Sequence, residues 1–148
     1  MLGDTNLILR WAGPNSPERI AALAARRLLR ARGEQLVFCP QVVMEFWCSA
    51  TRPLGANGLG YDPLRVDYLL NQIGSAFSIV PDIPAIYPIW RRLVSDHHVC
   101  GRQVYDARLA AFMLAHGIKE ILTFNTGDFR RYPGVTAIDP RDLAGIAY

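Results

Sequence analysis

GRQVYDARLAAFMLAHGIKEILTFNTGDF, Gly101 to Phe129, is the stretch whose reading decides the fold. Ala107, Ala110, Ala111, Leu114 and Ala115 recur at spacings of three and four, which predicts an amphipathic helix with an inner face of mostly small side chains. A helix with that face can press closely onto a sheet. Gly117 is placed to cap the helix, and Glu120–Phe124 (EILTF) has the length and flanks of a short internal strand. Asn125-Thr126-Gly127-Asp128 follows just past the strand's C-terminal end, where open α/β sheets bind ligands. Asp106, in the helix's first turn, is positioned to converge with that loop.

Outward from this stretch, helix and strand patterns alternate. Ser16-Pro17-Glu18 reads as a helix start, with Ile20, Leu23, Ala24, Leu28 and Ala31 as the apolar stripe and Gly33 at the end. Pro40 opens a helix to about Thr51, with Val43, Phe46, Trp47 and Ala50 on one packed face. Asp62-Pro63 opens another, to about Ile73, after a glycine-rich loop at residues 53–60. Pro84 to His97 carries Ile86, Ile89, Trp90 and Leu93 as a helical stripe, part of which can serve an interface as readily as all four can face the core. Leu36–Cys39 (LVFC), Phe77–Val80 (FSIV) and Val135–Ile138 read as further strands, and a short tail begins at Asp139-Pro140. The alternation predicts an α/β protein: a three-layer α/β/α sandwich around a parallel sheet of four to five strands, in one domain over residues 1–148.

Composition narrows the classes. At 148 residues and 51% apolar, the chain can bury a core and is too apolar for disorder. No apolar run is long enough to cross a bilayer and no signal-peptide pattern is present, so no membrane role is expected. Cys39, Cys48 and Cys100 lack C-x-x-C spacing, which points to free, mostly buried thiols in a reducing cytoplasm. Of 16 basic residues only Lys119 is lysine. Arginine is the better phosphate fork, although genome composition accounts for the bias equally well. The net charge of +3 permits nucleic-acid binding without demanding it.

Four acids fall at strand ends or in apolar company: Asp4, Glu45, Asp106 and Asp128. Singly, Asp4 reads as a helix cap, Asp106 as a partner of the helix dipole and Asp128 as a turn residue. Glu45 is harder to dismiss, because a lone carboxylate among Val, Met, Phe and Trp is costly without a partner. Gathered in one cleft, the four would raise one another's pKa unless a cation stood among them. Carboxylate and water ligands favour Mg²⁺ or Mn²⁺, and such a site can hold a hydroxide nucleophile and neutralise a phosphoryl group.

Asp4-Thr5-Asn6, Glu45 in PQVVMEFW, Asp106 in GRQVYDARLAA and the closing TFNTGDF resemble the four motifs of the PIN-domain ribonucleases. Their order and spacing are most similar to the VapC toxins of bacterial type II toxin–antitoxin pairs, over nearly the whole chain. The resemblance implies a cytoplasmic, divalent-metal-dependent endoribonuclease that cuts RNA by in-line attack of a metal-activated water. Asp4 and Asp106 would be the principal ligands of Mg²⁺ (or Mn²⁺). Glu45 would bind the metal through water or orient the attacking water, with Thr5 and Asn6 holding the acids in place. The fourth acidic position varies between the two ends of a motif like N-T-G-D. Asp128 is expected to act on the metal's water shell, and Asn125 to hydrogen-bond a metal-binding carboxylate. The resemblance also implies a homodimer and a small VapB-like antitoxin whose tail crosses the acidic cleft.

One departure stands out. Members of that family place several apolar residues before the first aspartate, whereas here only Met1, Leu2 and Gly3 precede it. Either the central strand is unusually short or the native start lies upstream. A second reading follows, a catalytically weak PIN-like scaffold that binds RNA or a partner protein without cutting. A phosphoacceptor domain fits worst, because its late lysine would have to be Lys119. His97-His98 with Cys100 lacks a second zinc half-site, and residues 55–60 (GANGLG) lack the lysine of a phosphate-binding loop.

Overall fold

The structure, a computed structural model, describes residues 1–146. Five short parallel strands, β1 (Leu2–Gly3), β2 (Val37–Phe38), β3 (Ser78–Ile79), β4 (Glu120–Leu122) and β5 (Thr136–Ile138), form one sheet in the order β3-β2-β1-β4-β5. The helices are α1 (Thr5–Ala12), α2 (Pro17–Ala31), α3 (Pro40–Thr51), α4 (Pro63–Ala76), α5 (Ile86–Asp96), α6 (Gln103–His116) and α7 (Pro140–Ala144). From β1 to β3 the chain steps outward one way; after β3 it crosses back to lay β4 on the other side of β1. Right-handed crossovers then place α1 and α2 on one face and α5 and α6 on the other. Packing follows this split, with α2 against α1 and α7, and α5 against α6. The parallel three-layer architecture is the one expected, with five strands.

The central strand is only two residues long, yet it is paired on both sides, Leu2 with Val37 and Ile121 and Gly3 with Leu122. Backbone bonds extend it: Val37 N–H donates to Met1 O at 3.0 Å and Asp4 N–H to Leu122 O at 3.1 Å. β2 to β5 are each shorter than the runs expected for them, Leu36–Cys39, Phe77–Val80, Glu120–Phe124 and Val135–Ile138. The short tail expected after Asp139 forms the helix α7, capped by Asp139 and packed on α2.

Three buried faces differ from the expected stripes. On α2 the buried residues are Ala21, Ala22, Ala25 and Leu29, and Ile20 is exposed. Small residues face inward because α2 is wedged between α1 and α7, so the helix is rotated about one position from the stripe of largest side chains. On α3 the buried set is Gln41, Val42, Phe46 and Ala50, while Trp47 lies at the edge. A polar Gln41 in this face has consequences described below. On α6 Ala107, Leu109, Ala110, Ala111, Phe112 and Met113 are buried, nearly all round, with α5 packed along the helix. The α5 stripe divides: Ile86 and Leu93 are buried, Ile89 and Trp90 only partly, with the Trp90 indole N–H donating to Val104 O at 3.0 Å. Of the three thiols only Cys39 is buried, which pushes its pKa up to about 11; Cys48 and Cys100 are exposed on helix and loop surfaces.

Gly3 carries a tight constraint. A Cβ there would overlap the Phe38 ring, and Phe38 is itself wedged edge-on against Trp11 (6.0 Å between centroids) and Phe77 (5.2 Å). Overpacking of such a site costs about 1–3 kcal/mol. Gly3→Ala should therefore lower the unfolding free energy by that amount, seen as a lower urea midpoint at unchanged m-value, and unaltered stability would show that the ring cluster yields freely.

Candidate functional site

The C-terminal ends of β1 and β4 meet where the strand order reverses, the position at which open α/β sheets form their clefts. Asp4, the residue after β1, is buried there and caps α1, accepting from Thr5 N–H at 2.6 Å. Its other oxygen, Oδ2, accepts from the Thr123 hydroxyl at 2.6 Å and from Asn6 Nδ2 at 2.8 Å. Thr123, the residue after β4, also accepts from Asn6 Nδ2 (2.9 Å) and Asn125 N–H (3.0 Å), so its hydroxyl is fully engaged. Asn6 closes the ring by accepting from Phe124 N–H at 3.3 Å.

Glu45 reaches the same place from α3. Its Oε2 accepts from the Thr5 hydroxyl at 2.9 Å and its Oε1 from Gln41 Nε2 at 2.7 Å, one turn earlier on the helix. Gln41 Nε2 also donates to Tyr105 O at 2.9 Å, immediately before Asp106, while Gln41 Oε1 accepts from Arg108 Nη1 at 2.9 Å. Arg108 is held in turn by Asp82 at 2.7 Å. Asp106 opens from the first turn of α6 into the cleft. Asp128 lies exposed in a 3₁₀ turn over Thr126–Phe129, its N–H donating to Asn125 O at 3.1 Å.

Charge coupling ties the four acids together. Burial pushes Asp106 up to about 7, and the charges of Asp128, Asp4 and Glu45 add to the rise against a weak pull from Arg131. Burial likewise raises Asp4 to about 6, although hydrogen bonds from Thr123 and Thr5 oppose it and Glu45 and Asp128 reinforce it. Tyr132, whose buried hydroxyl has no partner among the described residues, is raised by burial and by Asp106 and Asp128.

The expected residues are thus brought to one edge of the sheet, with one difference. Asn125 makes no side-chain hydrogen bond to a carboxylate among the described residues; Asn6 and Thr123 fill that role on Asp4 because they stand directly at the two strand ends. Thr123, Gln41, Arg108 and Tyr132 were not singled out from the sequence. Only Gln41 left a trace there, as a polar residue four before Glu45 on an otherwise apolar helix. Among the described residues no three Asp, Glu, His or Cys side chains form a closed ligand cage. An all-carboxylate cluster with little opposing cation still fits a hydrated Mg²⁺ or Mn²⁺, since Mg²⁺ uses one or two carboxylates and keeps several waters.

A family model for the PIN domain matches residues 1–135, and the chain belongs to that family. Among curated proteins it is similar to Ribonuclease VapC24 of Mycobacterium tuberculosis, 27% identical over 143 residues and covering 93% of this chain and 94% of the relative. Among solved structures it is similar to VapBC2 from Rickettsia felis bound to a DNA fragment from their promoter, with a TM-score of 0.72, 14% identity, and 93% and 96% of the two chains covered. A toxin–antitoxin complex from Klebsiella pneumoniae matches with a TM-score of 0.63 at 22% identity, over 94% and 96% of the chains.

The raised carboxyls set a pH dependence. A carboxyl with a raised pKa in the folded state contributes stability that is fully present below its unfolded value near 4 and is lost as pH rises through its folded value. For Asp4 and Asp106 that window runs from about 4 to about 7. Without divalent metal, the melting temperature should fall across this window, and Asp106→Asn should flatten the fall and stabilise the protein at pH 7.5. Calorimetry in EDTA checks it; an equally steep fall in the variant would show that Asp106 is not the strained group.

Proposed function

We propose that this protein is a divalent-metal-dependent endoribonuclease, the toxin of a VapBC-like pair. The observation that carries the reading is the anchoring of Asp4 by Thr5, Asn6 and Thr123 at the reversal of strand order, with three more acids electrostatically coupled to it or to Asp106. Similarity to a VapC ribonuclease over nearly the whole chain supports the same reading. The anchoring favours the nuclease over the scaffold alternative, because three donors on Asp4 beside carboxylates that repel it exceed what a helix cap needs.

In this reading Asp4 and Asp106 present carboxylate oxygens to Mg²⁺ or Mn²⁺. Bound there, the ion would neutralise charge on the phosphodiester and acidify water. Thr5, Asn6 and Thr123 fix the direction of the Asp4 lone pairs. Glu45, held at both oxygens by Gln41 and Thr5, retains free lone pairs with which to orient the attacking water. Asp128 adds negative charge at the rim, acting on the hydration shell, and Asn125 braces its turn.

Asp4→Asn and Asp106→Asn should each reduce RNA cleavage by about 100-fold or more, the scale of several kcal/mol of lost transition-state stabilisation, while circular dichroism stays unchanged. Full activity of either variant with Mg²⁺ or Mn²⁺ would refute the assignment. Asp128→Asn should weaken Mn²⁺ binding by calorimetry and slow cleavage; if both are unchanged, Asp128 is only a turn residue.

The partners that follow from this reading are an RNA substrate in the cytoplasm, a small antitoxin and a second copy of the chain. None of the described helices is long and apolar enough to cross a membrane. Tyr87, 66% exposed, beside the part-buried Ile89 and Trp90 gives α5 an apolar outer edge suited to a dimer contact. Light scattering at micromolar concentration should report twice the chain mass, and a monomer would count against the dimer.

A further inference from the structure

The acids occupy only one side of their cleft. The residue before Glu45 is Met44 and the residue before Asp106 is Tyr105, and both face the same cavity of about 520 Å³ as Glu45, Asp106 and Thr5. Met44 is 61% and Tyr105 56% exposed. An apolar pair at the mouth of a carboxylate cleft does nothing for the acids and costs hydration. It is instead a surface suited to a flat, weakly hydrated ring. The Tyr105 backbone is tied to the acids, since its carbonyl accepts from Gln41 Nε2, the same amide that holds Glu45.

Arg52, just past the end of α3, and Arg102, just before α6, line the same cavity. Neither is in a salt bridge among the described residues. A second cavity shares Ser49 and Arg52 with the first and continues past Asn6 to Arg10. Arginines therefore run past the acids from Arg102 through Arg52 to Arg10. An aromatic and a thioether side chain in one cavity with two arginines match a single nucleic-acid strand: phosphates on the guanidinium groups, a base against Tyr105 and Met44. A duplex keeps its bases stacked within itself and offers no free face. The line of arginines calls for a matching row of anions, which a nucleic-acid backbone supplies.

We propose that this cleft binds one unpaired nucleotide next to the cleaved phosphate, its base stacked on Tyr105 and Met44 and its flanking phosphates held by Arg52 and Arg102. The inference rests on the nuclease reading of the acids and deepens it, making Tyr105 and Met44 the residues that select an unpaired base.

The test is equilibrium binding of a short fluorescent RNA to the full chain in EDTA, as a single strand and as a blunt duplex of the same sequence. The single strand should bind more tightly. Tyr105→Ala should weaken it roughly 10-fold or more, within the range for one lost base–aromatic stack, and Tyr105→Phe should restore it. Arg52→Gln and Arg102→Gln should each reduce the slope of log affinity against log salt by about 0.7. Duplex binding as tight as the single strand, or an affinity unmoved by Tyr105→Ala, overturns the proposal, the latter being the result if the cleft serves a partner peptide. Asp4→Asn separates the two readings. If it binds RNA but does not cleave while Tyr105→Ala is silent, the base subsite fails alone. If it cleaves normally while Tyr105→Ala loses binding, the nuclease assignment of the acids fails and the binding surface stands.

Discussion

The Asp4 carboxylate, placed one residue beyond a two-residue central strand, has to be held still by something other than the sheet. Three donors do it: the Thr5 N–H, the Thr123 hydroxyl and the Asn6 amide, at 2.6 to 2.8 Å. Two of the three belong to the start of α1, and the third stands at the end of β4. The side chain is therefore a joint between the first helix and the neighbouring strand, tying together chain 119 residues apart. Hydrogen bonds to a charged acceptor are roughly twice as strong as neutral ones. They do for the strand ends what a longer β1 would do through backbone pairing, and the rest of the cleft is built on that fixed point.

The same placement makes the site locally unfavourable. Burial and three neighbouring carboxylates act against ionisation of Asp106, and the hydrogen bonds on Asp4 only partly offset its own burial. A fold that served only itself would replace such a cluster by apolar residues or pair it with arginine, as it does at Asp82 with Arg108 and at Asp139 with Arg141. Here the arginines Arg52 and Arg102 stand along the cleft and leave the acids without ion-pair partners among the described residues. Strain of this kind, held in place by surrounding structure, is characteristic of sites where charge arrives with a ligand.

Much of this was legible in the residues. The alternation of periodicities led to the parallel sheet, and acids at strand ends in a fixed order led to Asp4, Glu45, Asp106 and Asp128. What escaped was whatever depends on rotation and on partners distant in the chain. Period alone does not separate a stripe of Ile20, Leu23 and Leu28 from the neighbouring stripe of Ala21, Ala22, Ala25 and Leu29; close packing against α1 and α7 does, by favouring small side chains. Thr123 looked like any strand threonine, since its value lies in meeting Asp4 from across the chain. That Thr123 rather than Asn125 braces Asp4 from the β4 end has the same origin, as two strand ends that touch in space carry no mark of it in sequence.

Gln41 shows how far such a network reaches. One end of its amide faces two acceptors, Glu45 Oε1 and Tyr105 O, and so must be the NH₂; the other faces the Arg108 guanidinium and so must be the carbonyl. The amide therefore has a single workable orientation, and Arg108, itself locked by Asp82, enforces it. Through this one side chain the loop before α5 sets the direction in which Glu45 is held, and α3 is spaced against the start of α6 where Asp106 stands. The separation of the two acids is then a property of a buried amide between helices, not of the sheet. That is why a polar residue sits in the packed face of α3 where an apolar one would contribute more to the core.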